Sequence, residues 1–105
     1  VDDRVDVGAV PLLPGVRELA DAGTVPGGTR RNREWVGEVL DMAPGVSETD
    51  VVLLADAQTS GGLLFGAEPE RAAAAVAQLR ERGLEAAVVG RADAGAGRIR
   101  VTAGA

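Results

Sequence analysis

The sequence predicts an α/β domain, a mixed sheet with a βαβ crossover covered by helices. Three observations carry that expectation. The apolar runs Val51-Val52-Leu53-Leu54-Ala55 and Leu63-Leu64-Phe65 are too short for independent helices and fit buried strands. A well-punctuated helix follows them, and beyond it lies a further apolar stretch around Val88 and Val89. Strand, helix and strand in succession imply a crossover, to which Arg98 to Thr102, alternating charged and apolar, adds a hairpin strand.

Each element has its own signal. Val1, Asp2, Asp3, Val5, Asp6 and Val7 alternate enough for a short strand within residues 1 to 12. Pro14 near a first turn, Val16, Leu19 and Ala20 at i, i+3, i+4, and Gly23 beyond predict a short helix from Pro14 to Ala22. Val25 to Gly28 is turn-rich. Thr29 then suits the cap of a second helix, with Trp35, Val36, Val39 and Leu40 on one face and its end before Pro44-Gly45. Gly37 weakens its middle by up to about 1 kcal/mol relative to Ala. The third helix starts at Pro69. Glu68 and Glu70 lie at its amino end and Arg80 and Arg82 at its carboxy end, so the charges complement the dipole. Ala72, Ala75, Val76 and Leu79 form its inner stripe and Gly83 stops it. Glu85 to Gly90 reads as a buried strand, Ala92 to Gly97 as a loop, and Arg98 to Thr102 as an edge strand with Ile99 and Val101 inward.

Composition narrows the chemistry. At 105 residues the chain fits a single domain, 1–105, with a core of Val, Leu and Ala because only 2% is aromatic. There is no Cys and no His, which removes thiolate catalysis, the usual neutral-pH base and the commonest metal ligands. Every cation is an arginine, which binds phosphate and carboxylate in a fork but forms no Schiff base. The net charge of −5 argues against a nucleic-acid or anionic-membrane partner, and no apolar run approaches the roughly 20 residues that span a bilayer.

Two segments concentrate polar chemistry. Gln58, Thr59 and Ser60 place uncharged hydrogen-bonding groups beside Gly61-Gly62, a pair that permits positive φ or close backbone approach. That arrangement suits phosphate or a polar substrate, and it equally suits a tight turn between strands. A Walker-type loop is not matched, since it needs a lysine. In the second segment Arg30, Arg31 and Arg33 crowd the start of a helix, where positive charge opposes the dipole. Two readings stand: an anion site with Gly27-Gly28 allowing close approach, or a solvated face in which Arg30 pairs with Glu34. Asp56 fits a turn acceptor better than a Mg²⁺ ligand, Asp2, Asp3 and Asp6 read as solvated, and Trp35 as a core anchor.

The run Gln58-Thr59-Ser60-Gly61-Gly62-Leu63-Leu64, preceded by Asp56, resembles the carboxy-terminal signature of the selenophosphate synthetase (selenide, water dikinase) family. Val25-Pro26-Gly27-Gly28-Thr29-Arg30-Arg31-Asn32 is similar to that family's Pro-Gly-(Gly/Ala)-Thr-x-x-Asn loop. Val10-Pro11-Leu12-Leu13-Pro14-Gly15 is a third, weaker similarity. The resemblance implies the later part of a carboxy-terminal domain of the aminoimidazole ribonucleotide synthetase type, an incomplete α+β sandwich whose amino-terminal ATP-binding domain is absent. For a complete enzyme it implies selenophosphate formation from selenide, ATP and water with Mg²⁺, the selenium serving selenocysteine and selenated tRNA.

It further implies that Gln58, Thr59, Ser60, Gly61 and Gly62 line the cleft between the two domains near phosphate or intermediate. Gly28, Thr29, Arg30, Arg31 and Asn32 become a secondary anion loop. The family's reactive Cys or selenocysteine, its Lys and its Mg-ATP aspartates have no counterpart in these residues. The expectation is therefore a chain with no catalytic residue, no metal ligand, no tightly bound cofactor and no activity by itself. Its implied partners are the amino-terminal domain, a second copy in a homodimer, ATP and selenide, in the cytoplasm. The competing expectation is a stand-alone, non-catalytic anion-binding or assembly module.

Overall fold

A computed structural model describes residues 1–104. In chain order it contains β1 (Asp2–Asp6), α1 (Val16–Asp21), α2 (Gly27–Val36), β2 (Leu40–Met42), α3 (Glu48–Leu54), α4 (Pro69–Glu81), β3 (Gly90–Asp93) and β4 (Ile99–Thr102). The strands form one mixed sheet in the order β2-β4-β1-β3. β4 runs parallel to both β1 and β2, while β3 lies antiparallel to β1. No described helix is long and apolar enough to cross a membrane.

The mixed sheet and the helices match the predicted class, but several elements differ. Val51 to Leu54 belong to a helix, because Ser47 accepts from the Asp50 N–H (3.2 Å) while the Asp50 carboxylate accepts from the Ser47 N–H (2.8 Å). That reciprocal capping box satisfies two free donors at the start of α3 and fixes its first turn. Leu63 to Phe65 are no buried strand either: they have no regular structure, and Leu63 is 96% and Leu64 82% exposed. Helix α2 starts before Thr29, at Gly27, and ends at Val36, so Leu40 lies in a strand. Trp35, expected in the core, points to solvent. The strand expected over Glu85 to Gly90 begins only at Gly90, where the backbone of Arg4 leaves no room for a Cβ. β4 is an inner strand and not an edge, because β1 and β2 flank it.

Asp2 and Asp6 are engaged where solvation was expected. Asp2 Oδ1 accepts from the N–H groups of Arg98 (2.8 Å) and Gly97 (2.9 Å), which hold its carboxyl below the ordinary aspartate range. Asp6 Oδ1 accepts from the Gly8 N–H at 2.9 Å.

The core is thin. Among the described residues the fully buried apolar side chains are Val51 of α3 and Val101 of β4, each 1% exposed. The radius of gyration of 14.3 Å exceeds the ~13 Å of a compact 100-residue domain. Polar pairs supplement packing between helices: Arg17 meets Asp50 (2.8 Å), Thr49 donates to Asp21 (2.6 Å), and Arg33 forks onto Glu48 (2.8 and 3.1 Å). Helix α4 begins and ends as its Pro and charges predict, yet its stripe Ala72, Ala75, Val76 and Leu79 is only half-buried.

Candidate functional site

The two polar segments singled out in the sequence meet at one place. Thr29, in the first turn of α2 and 0% exposed, donates its hydroxyl to Asp56 Oδ1 at 2.7 Å and accepts the Ala57 N–H at 2.9 Å. One turn on, Asn32 donates Nδ2 to the Ala55 carbonyl at 3.0 Å, satisfying an oxygen at the end of α3 that has no helical partner. Residues three apart on a helix share a face, so Thr29 and Asn32 together grip the chain leaving α3. Gly28 belongs to the same contact: a Cβ there would stand 3.3 Å from the Ala57 Cβ.

Asp56 is the linchpin. Its Oδ1 takes Thr29 and its Oδ2 takes Gln58 Nε2 at 3.1 Å, so both oxygens accept from the chain. This matches the turn-acceptor reading of Asp56. From Asp56 the chain runs into Gln58, Ser60, Gly61 and Gly62, which line one wall of an open cleft of about 430 Å³. Pro11, Leu12, Leu13, Val16 and Leu53 supply the rest, so the cleft is apolar on one side and carries amide and hydroxyl groups on the other. Thr59 is exposed and is not among the lining residues.

The arginines divide. Arg33 is tied to Glu48, and Arg30 donates to the Gly23 carbonyl at 3.3 Å rather than pairing with Glu34. Arg31 makes no hydrogen bond or ion pair among the described residues. Its guanidinium folds back over the start of its own helix, 3.4 Å from where a Gly27 Cβ would stand and 3.6 Å from a Gly28 Cβ. No acidic residue occupies the first turn of α2, and its cap residue Pro26 makes no side-chain hydrogen bond. Positive dipole end and guanidinium thus coincide without a counter-charge.

The two segments stand apart in the sequence, and the bond that joins them spans 27 residues, from Thr29 to Asp56. Thr29, expected as a helix cap, instead sends its hydroxyl across to another element. The arrangement can bind and orient a polar or anionic group at the cleft wall. Asp56 is the carboxylate at this wall, each of its oxygens already accepting one hydrogen bond, and no three His, Cys, Asp or Glu side chains converge among the described residues.

Comparison with known proteins gives the same neighbourhood. Residues 6–102 match the family described as AIR synthase related protein, C-terminal domain. The chain is 45% identical over 86 residues to a selenide, water dikinase of Nitratidesulfovibrio vulgaris, covering 82% of this chain and 25% of that protein. A selenide, water dikinase of Pelobacter propionicus is 44% identical over 88 residues, covering 83% and 25%. One from Pseudomonas straminea is 37% identical over 97 residues, covering 91% and 27%. The chain spans about a quarter of the length of these relatives.

Proposed function

The chain belongs to the family of AIR synthase related C-terminal domains, and from that premise we propose that it is the carboxy-terminal portion of a selenide, water dikinase. In this reading an amino-terminal portion supplies ATP binding and the reactive groups, and the present residues shape one wall of the shared cleft. The observation that carries it is the Thr29–Asp56 hydrogen bond, which locks the Pro-Gly-Gly-Thr-x-x-Asn loop onto the segment leading to Gln58–Gly62. Gly61-Gly62 keeps that wall free of bulk, while Gln58 and Ser60 offer donors to a phosphate or a selenium-bearing intermediate. Arg31 and the free N–H groups at the start of α2 form a second anion contact. With no Lys or His in the chain to activate Thr59 or Ser60, the contribution in this reading is positioning and charge. ATP and any Mg²⁺ are held by the other portion, in a cytoplasmic homodimer.

A chimaera tests this. Replacing the corresponding quarter of the Pelobacter relative by these residues is expected to retain selenide-dependent ATP consumption, whereas the 105-residue chain alone shows none. Gln58→Ala with Ser60→Ala in the chimaera is expected to lower turnover by about tenfold or more, as lost transition-state contacts do. A chimaera that folds yet consumes no ATP, or activity in the short chain, overturns the proposal. Phosphate binding by the short chain beside an inactive chimaera would favour the stand-alone module.

A further inference from the structure

The sheet face opposite Val5, Ile99 and Val101 carries a row of arginines. Register places Arg4 directly between Arg91 of β3 and Arg100 of β4, and all three side chains are exposed. Like charges in directly opposed positions repel, so the row weakens the sheet that carries it. Arg91 is relieved by Asp93 at 2.9 Å, but Arg4 and Arg100 have no hydrogen bond or ion pair among the described residues. Asp41, registered against Arg100, gives both oxygens to Arg98 at 2.6 and 3.1 Å.

Nearby carboxylates are engaged as well. On the same face, two residues along β1 in either direction, Asp2 holds the Gly97 and Arg98 N–H groups and Asp6 holds that of Gly8. On β1 the basic stripe is therefore one residue wide, with acid on both sides, while just ahead of β4 Arg98 stands beside Arg100 with its charge met by Asp41. A polynucleotide laid there would bring its phosphates against those flanking aspartates, in a chain of net charge −5. A single line of carboxylates would not. Neighbouring strands are ~4.8 Å apart, and residues at i, i+3 or i+4 on a helix surface are ~5–6 Å apart. Three carboxylates on one helix face thus match three arginines across three strands.

We propose that this open sheet face docks an acidic helix of a protein partner, carrying carboxylates at i, i+4 and i+7, laid across β3, β1 and β4 over Arg91, Arg4 and Arg100. This surface is independent of the cleft and of the dikinase reading. The test titrates the purified chain, at low ionic strength, with a labelled helical peptide bearing three glutamates in that spacing. A second peptide has the same composition with the glutamates spread around the helix, and a single-stranded oligonucleotide and inorganic polyphosphate serve as competitors. The aligned peptide is expected to bind best, to shift the amide resonances of β1 and β4, and to lose about tenfold in affinity with either Arg4→Gln or Arg100→Gln, the loss of one charge-assisted contact. In the free chain Arg4→Gln is expected to raise the melting temperature, since it removes repulsion. Equal binding of both peptides, tighter binding of oligonucleotide or polyphosphate, unchanged affinity in the variants, or a lowered melting temperature with Arg4→Gln would each overturn the assignment. Should one variant not fold, the other decides.

Discussion

The polypeptide on the two sides of Gly61-Gly62 behaves in opposite ways. Before the pair, Ala55, Asp56 and Ala57 are polar or small, yet they are fastened to α2 by three hydrogen bonds of 2.7 to 3.0 Å. After it, Leu63, Leu64 and Phe65 are apolar and stand in solvent. The difference teaches that burial follows from having a partner within reach, and residue type alone does not supply one. Thr29 and Asn32 are the partners on the first side. No described element covers the second.

The largest expected effect lies on the fastened side. Thr29→Val keeps the shape but leaves the Asp56 Oδ1 and the Ala57 N–H without their partner, for a loss of about 2–3 kcal/mol in urea denaturation. Thr29→Ser retains the hydroxyl and is expected to lose far less. Equal losses for the two would mean that packing rather than the hydrogen bonds holds this side.

Next in size is Asp50, which anchors the start of α3 from which the fastened segment departs. Asp50→Ala removes half of the capping box and is expected to lose about 1 kcal/mol near neutral pH. The Ser47 N–H, and after it the Arg17 guanidinium and the Ser47 hydroxyl, hold this carboxyl below the ordinary aspartate range. A depressed folded value means that the stabilisation is complete above the unfolded value of about 3.9 and disappears as pH falls through the folded one. The gap between parent and variant is therefore expected to be constant from neutral pH to about pH 5 and to close under stronger acid. A gap that stays open in acid would separate the stability of α3 from the charge on Asp50.

The smallest effect belongs to the free side. Leu64→Ser is expected to change stability by no more than about 0.5 kcal/mol, as at other exposed positions without packing partners. A loss several times larger in the short chain would show that Leu64 has a partner in solution and would erase the contrast.

Much of this architecture was legible in the residues. Pro69, the terminal charges and Gly83 delimit α4 to within a residue or two, and the Val16, Leu19, Ala20 spacing finds α1. The misassigned α3 carried a readable signal, Ser47-Glu48-Thr49-Asp50 ahead of an apolar run, which marks a helix start. The apolar run alone cannot distinguish helix from strand at that length. The apolar character of Leu63 to Phe65 predicts burial, but a strand exists only against another strand, and that information is not local. The same holds for the site. Motif similarity marked Thr29, Asn32 and Gln58 to Gly62, while the Asp56 bridge depends on a contact 27 residues away that no periodicity encodes.

The parallel pairing of β1 with β4 has a consequence for how the molecule is made. Asp3 of β1 aligns with Ile99 of β4, and the same strand β4 is what joins β2 to the rest. At ~5–20 residues per second of synthesis, β1 waits about 5–20 s for its inner neighbour to emerge, and β2 waits with it. The helices, whose contacts are closer in sequence, can assemble during that interval. Closing so long a loop makes the sheet the slow step of folding, and it exposes the strand edges to chaperones and neighbouring chains while they remain unpaired.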